Sequence, residues 1–275
     1  MRVGESGRAT RRYATPLIVV YVSFALLVIG VLLLTTPNRL VAAFSARYLG
    51  LILEAVPYLI VAAALHALFA LYRPALTTRS PRATMILVAF APVLHPVALF
   101  ASLRAFPGRP EIVLGRIVAG FLGVSVFYLI ARARATDCPS ETNILDTVVR
   151  TLYDDLRFFL LGALVFSVLH FVLQAPRPGV PPIHGAIAIP FALALGVASG
   201  IPNTVLPLSA LLVSDRFPAA ATVVLLAAGA VIPMRGVFRI GTSRVRRVFA
   251  GVAAAAVVVT GAVIWIGLAG PGGGA

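Results

Sequence analysis

Lysine is absent from the 275 residues, so all 23 basic side chains are arginine. Acidic residues number only 9, and the formal net charge is +14. Cysteine occurs once, at Cys138 in the polar stretch ATDCPSETN. A single cysteine forms no internal disulfide, and the chain has no Cys-x-x-Cys or Cys/His metal spacing. Gly-x-Ser-x-Gly, His-Glu-x-x-His and Walker patterns are all missing. A prenyl-chain enzyme needs two Asp-rich metal motifs, and this chain offers one short pair, Asp154 and Asp155. The expectation is therefore not an enzyme, with no metal and no cofactor, and not a single-chain ATP-driven machine.

Charge itself is scarce. Charged residues make up 12% of the chain and hydrophobic residues 60%, whereas a soluble domain carries roughly 25% charged residues. The lipid bilayer is the expected surrounding. An excess of arginine beside apolar spans sets topology and meets anionic head groups, so nucleic acid is not an expected partner. Arg2, Arg8, Arg11 and Arg12 precede the apolar run 16–34. That run is too long for the core of a signal peptide and lacks a small-residue cleavage site, which makes it a retained first span. The reading is a multi-pass protein of the plasma membrane, with its N-terminus cytoplasmic.

A helix needs about 20 apolar residues to cross the hydrocarbon core. Candidates fall at 15–34, 49–71, 83–103, 112–130, 156–173, 219–235 and 248–268. The 29-residue stretch 185–213 differs, because Gly196, Gly200 and Pro202 interrupt it. It is too long for one span and short for two, so two half-helices meeting near 199–203 are expected. Charge bias supports a hairpin there. With the N-terminal cluster inside, loops 72–82 and 131–150 also fall inside. The five arginines of 235–247 join them only if 185–213 returns to the face it left.

The chain also shows internal similarity. Displacing 81–130 by 137 positions sets Pro81 on Pro218, Ala91 on Ala228, Pro96 on Pro233 and Arg109 on Arg246. At an offset of 101, Glu54 meets Asp155, Leu59 meets Leu160 and Ala62 meets Ala163. The difference of 36 matches the length of the broken hairpin with its loops. Span 49–71 runs inward and its counterpart 156–173 outward, so the halves are inverted. Such inversion with broken helices is a recurrent plan for secondary transporters, because the two halves can exchange conformations. The expected architecture is an all-α integral membrane protein, a polytopic helix bundle with inverted repeats and one broken-helix hairpin. Its parts are a cytoplasmic tail (1–14), a first span with connecting segment (15–48), a first repeat half (49–130), a cytoplasmic loop (131–155), a second half (156–268) with an inserted hairpin (182–217), and a flexible tail (269–275).

Several stretches together resemble a family of bacterial permeases that includes the trivalent organoarsenical efflux permease. They are LEAVPYLIVAAALHALF (53–69), APVLHPVALF (91–100) followed by RIVAGFLGVSVFYLI, FFLLGALVFSVLHFVLQ (158–174), GIPNTVLPLSALL (200–212) and AGAVIPM (228–234). The resemblance covers roughly 48–268 and implies a permease fold. Members of that family carry a Pro-x-Cys-Ser-Cys-Gly cassette ahead of a Pro-Leu pair. Here Pro207 and Leu208 match the pair, but Ile201 and Asn203 stand at the cysteine positions and Thr204 at the glycine. Thiolates are what bind soft metals and trivalent arsenic, so the resemblance carries architecture and not an arsenical cargo.

Four residues are candidates for substrate binding. Glu54 is a carboxylate early in span 49–71, where an ionisable group at the membrane centre costs about 2.5–3.5 kcal/mol and is usually functional or paired. His95 lies between Pro92 and Pro96, whose missing N–H groups free carbonyls nearby. Asn203 and Thr204 follow the Gly200–Pro202 break, where a half-helix would start and present its positive end. Each also has a plainer role: a wet carboxylate at the interface, a kink-holding imidazole, a helix cap. The breaks expected to line the site are Pro96, Pro202 and Pro233. His66 and His170, nearer the span ends, read as interfacial or packing residues. Gly196-x-x-x-Gly200 reads as a close helix contact, and Asp154, Asp155 and Arg157 as a solvated helix start.

The leading reading is a permease moving a small solute. The rivals are a degenerate permease acting as a membrane scaffold or subunit, and a membrane-embedded enzyme. A homo-oligomer, or an accessory subunit such as a separate ATPase, is compatible with the missing nucleotide motif. The hairpin has a direct consequence for topology. A reporter active only outside the cytoplasm is expected to be on when fused after Ala275 and off when fused near Gly241. The reverse pattern would make 185–213 a single crossing.

Overall fold

A computed structural model describes residues 39–79, 90–131, 144–174, 185–231 and 244–269. Their secondary structure is helical, with no strand among the described residues. The helices are α1 (Arg39–Arg79), α2 (Pro96–Ala105), α3 (Pro110–Ala131), α4 (Ile144–Gln174), α5 (Gly185–Ala198), α6 (Leu206–Ser214), α7 (Ala219–Val231) and α8 (Arg244–Ala269).

Four of them hold segments long and apolar enough to cross a membrane: Val41–Leu71, Pro110–Ile130, Thr147–Leu173 and Val248–Leu268. Their outer faces are apolar as well, with Leu53, Leu129, Val172 and Leu268 strongly exposed. A soluble fold buries such side chains; a belt of them suits lipid. This is a helical membrane protein.

Some boundaries differ from expectation. The helix α1 begins at Arg39, inside the segment expected only to connect, and α4 begins at Ile144, well inside the expected loop 131–155. The reason is shared: counting apolar residues finds where a helix lies in lipid, not where it ends. Charged residues stop a span without stopping a helix. Asp154 and Arg157 accordingly lie inside α4, not at its start, and pair across one turn at 3.1 Å. Expected span 83–103 is divided at His95, which separates the helical residues 90–94 from α2. The first span (15–34) and Pro233 lie outside the described residues.

The helix α1 lies against α4, and α3 against α8. The helix α7 runs through the middle, touching α3, α5, α6 and α8. From Ala221 to Val231 every one of its residues is buried, as a helix apolar on all sides requires. Small residues allow this crowding. A Cβ on Gly196 of α5 would stand 2.6 Å from the Leu225 carbonyl oxygen of α7, and one on Gly229 of α7 would strike Leu206. The partner of Gly196 is therefore α7. Gly200, its expected companion, serves differently, turning the chain at φ +61°, a conformation that costs glycine little.

The stretch 185–213 is two short helices, α5 and α6, parted at 199–205. Among the described residues the pair do not pack on one another to any extent. The helix α5 leans on α7, while α6 lies among α2, α4 and α7. The break thus opens the chain toward two different sets of neighbours.

Close packing at Gly196 gives a stability prediction. Gly196→Ala should lower stability by about 1–3 kcal/mol, because the obstructing atom is backbone and cannot yield. Gly251→Ala, in α8 with open space around it, should be neutral or stabilising by up to about 1 kcal/mol. Thermal unfolding of the two variants in detergent checks the contrast. Equal melting temperatures would show that α5 and α7 are not so close.

Candidate functional site

The site begins with a missing hydrogen. Pro96 opens α2 and has no N–H, so the carbonyl four residues earlier, that of Pro92, loses its helical donor. In a membrane interior that oxygen must find a partner within the protein. It finds Asn203, whose Nδ2 donates to it from the break between α5 and α6. One interruption therefore supplies what the other lacks.

The side-chain oxygen of Asn203 is occupied as well. It accepts a hydrogen bond of 2.7 Å from Nη2 of Arg116, on α3. Arg116 is fully buried, with 0% of its surface exposed. Its Nη1 donates to the Ala98 carbonyl at 2.7 Å and to the Ser102 hydroxyl, both on α2. Ser102 in turn donates to the Ala98 carbonyl at 2.8 Å. One guanidinium thus joins α3, α2 and the break before α6. A guanidinium has five N–H donors, and three are used; Nε has no partner.

No carboxylate among the described residues meets this charge. The Arg109–Glu111 and Arg157–Asp154 pairs occupy their acids elsewhere, and Arg116 has no ion pair among the described residues. Other polar atoms are underused as well. Nδ1 of His95, Oγ of Ser199, Oγ1 of Thr204 and Oγ of Ser209 are buried without partners among the described residues. His66 and Arg116 lie within electrostatic reach of the His95 ring. No three His, Cys, Asp or Glu side chains gather as metal ligands among the described residues.

Of the candidates from the sequence, the structure brings Asn203, Thr204, His95 and the breaks at Pro96 and Pro202 to one region. Glu54 does not join them; it is exposed on α1. That carboxylate faces outward because the buried face of α1 is taken by Leu51, Ile52, Ala55 and Leu59. Arg116 is the residue that sequence reasoning misses, although its signal is present: it is the only charge inside span 112–130, and intramembrane charges are expensive and commonly functional.

A second polar link lies elsewhere. His170 of α4 is buried at 6% exposure and holds the Leu212 carbonyl at 2.7 Å through Nδ1. A carbonyl only accepts, so Nδ1 carries the proton, and Nε2 accepts from Arg47 at 3.4 Å. His170 thereby satisfies an orphan carbonyl at the C-terminal end of α6. This is a structural role, in keeping with its reading as a packing residue.

The chain matches no family model, no curated protein and no solved structure. The site therefore rests on its own geometry.

Because Asn203 and Arg116 satisfy each other, their effects on stability should not add. Asn203→Leu leaves the Pro92 carbonyl and an Arg116 N–H unpaired, at a cost of about 3 kcal/mol. In a cycle of Arg116→Met, Asn203→Leu and the double variant, the coupling should be about 1–3 kcal/mol. Additive losses in denaturant or thermal unfolding would mean the two side chains act independently.

Proposed function

We propose that this protein is a permease-like transmembrane transporter for a small solute, with its site where the two helix breaks meet around Arg116. The observation that carries the reading is a wholly buried guanidinium with no carboxylate among the described residues, bonded at once to α2, which starts at the first break, and to Asn203 in the second. A charge at membrane depth costs about 2.5–3.5 kcal/mol on insertion scales. A bundle needing only to bridge two breaks could do so with Asn203 alone, without that expense.

The architecture supports the reading. The helices α5, α6 and α2, with 14, 9 and 10 residues, reach about 21, 14 and 15 Å at 1.5 Å per residue. Each falls short of the hydrocarbon core of about 30 Å. Short helices whose ends meet inside a bundle are how secondary transporters build sites near the midplane. The inverted-repeat plan draws support from the pairing of α1 with α4 and α3 with α8, since each pair consists of repeat counterparts. On this plan the N-terminus and segment 235–247 are cytoplasmic, and α5 and α6 form a re-entrant pair.

The resemblance to the organoarsenical permease family supports the same architecture and sharpens the difference in cargo. Where that family has its second cassette cysteine, this chain has Asn203, and Asn203 is bonded to Arg116. A hard, hydrogen-bonding amide tied to a charge stands where a soft thiolate would be.

Thr204 provides the test, because it is buried at the junction and its hydroxyl has no partner to lose. In a Cys138→Ser background, Thr204→Cys should react with a membrane-impermeant maleimide in both right-side-out and inverted vesicles. Alternating access exposes the site to each face in turn. Labelling from one face only, or from neither, would overturn transport and favour the scaffold.

A further inference from the structure

We propose that the solute recognised at this junction is an anion, specifically a small oxyanion such as a carboxylate or phosphate. The inference rests on the transport reading above and deepens it by naming the substrate class.

The argument is an imbalance between donors and acceptors. The carbonyl and amide oxygens of the cluster each carry a donor already: Pro92 from Asn203, Ala98 and Asn203 from Arg116. What remains unspent on the charge itself is donors. Arg116 keeps its Nε–H, which has no partner although the residue is fully buried, and one Nη2 proton. Thr204 is 8% exposed, and its buried hydroxyl is unpartnered among the described residues. A bound cation would meet a positive charge already in place and carbonyl oxygens already hydrogen-bonded. An oxyanion would find a guanidinium with N–H groups to spare, suited to carboxylate and phosphate.

The backbone adds to the imbalance. The helix α2 starts at Pro96 after the non-helical His95, so its first amides lack the carbonyls of a preceding turn. Leu99 is bonded to the His95 carbonyl, but the N–H groups of Val97 and Ala98 have no acceptor among the described residues. The same holds for the N–H groups of Asn203 and Thr204, while the next donors, Val205 and Leu206, both turn to the Pro202 carbonyl. Neither α2 nor α6 has a side-chain N-cap. Each helix start carries roughly half a positive charge, and both lie beside Arg116. Because Arg116 is wholly buried, this conformer is closed, and the anion enters when the junction opens.

The experiment uses the purified full-length protein in phosphatidylcholine nanodiscs. Sodium phosphate and sodium acetate are titrated separately against sodium chloride at matched ionic strength, with thermal unfolding as the readout. A saturable rise in Tm with phosphate or acetate, absent with chloride, is expected. Arg116→Lys keeps the charge but loses the planar set of donors, and should weaken the effect about a hundredfold. Thr204→Val should leave the unliganded Tm unchanged and weaken the effect roughly tenfold. Thr204→Val keeps the test sharp if Arg116→Lys fails to fold. No saturable rise with either anion, or rises unaltered in both variants, would overturn the proposal. So would stabilisation by phosphatidylglycerol nanodiscs alone, which would assign the guanidinium to a lipid head group. Labelling of Thr204→Cys from both faces without anion stabilisation would leave transport standing and remove the anion. Anion stabilisation without that labelling would do the opposite.

Discussion

A backbone carbonyl stripped of its donor inside a membrane has no water to turn to. That constraint organises the centre of this protein. Pro96 creates such a carbonyl at Pro92, and the chain answers with a second interruption whose Asn203 supplies the donor. Two defects that would each be costly in hydrocarbon become tolerable by facing one another. Arg116 follows from the same arrangement. Its guanidinium is stable at full burial because α2 and the Asn203 break offer three acceptors, and the proline break sets α2 where it can provide two of them.

The surrounding helices hold these parts in register by close contact, since lipid supplies no hydrophobic drive for helices to associate. Glycine and alanine let backbones approach. Gly196 lies against the Leu225 carbonyl, Gly162 against Ile201 of the break, and Gly115 against Trp265. The Trp265 indole also donates to the Glu111 carbonyl at 2.8 Å, tying α8 to the start of α3. At the far end of α6, His170 takes the Leu212 carbonyl. That short helix is thus anchored at both ends, by Asn203 before it begins and by His170 near its close.

Much of this plan is legible in the order of the amino acids. Long apolar runs mark the helices of 49–71, 112–130, 156–173 and 248–268. Glycine and proline mark the interruptions near His95 and Asn203, because each acts on its own few residues of backbone. Helix ends are less legible. The helices α1 and α4 extend beyond the lipid-soluble stretch through charged residues that keep helical backbone, so composition points to loops where helix continues. Glu54 stands out for its charge, but whether a charge is useful depends on the face it occupies, and its helix turns it outward.

The sequence by itself determined the medium, the helical class and the places where helices must break, because these depend on composition and on residues within one or two turns. Only the tertiary structure decided that the two breaks meet, and that Arg116 lies between them. Asn203 is 111 residues from Pro92 and 87 from Arg116, and no local pattern encodes a pairing over such a distance. Proline announces that a carbonyl will be unpaired; which donor reaches it is settled when the helices pack.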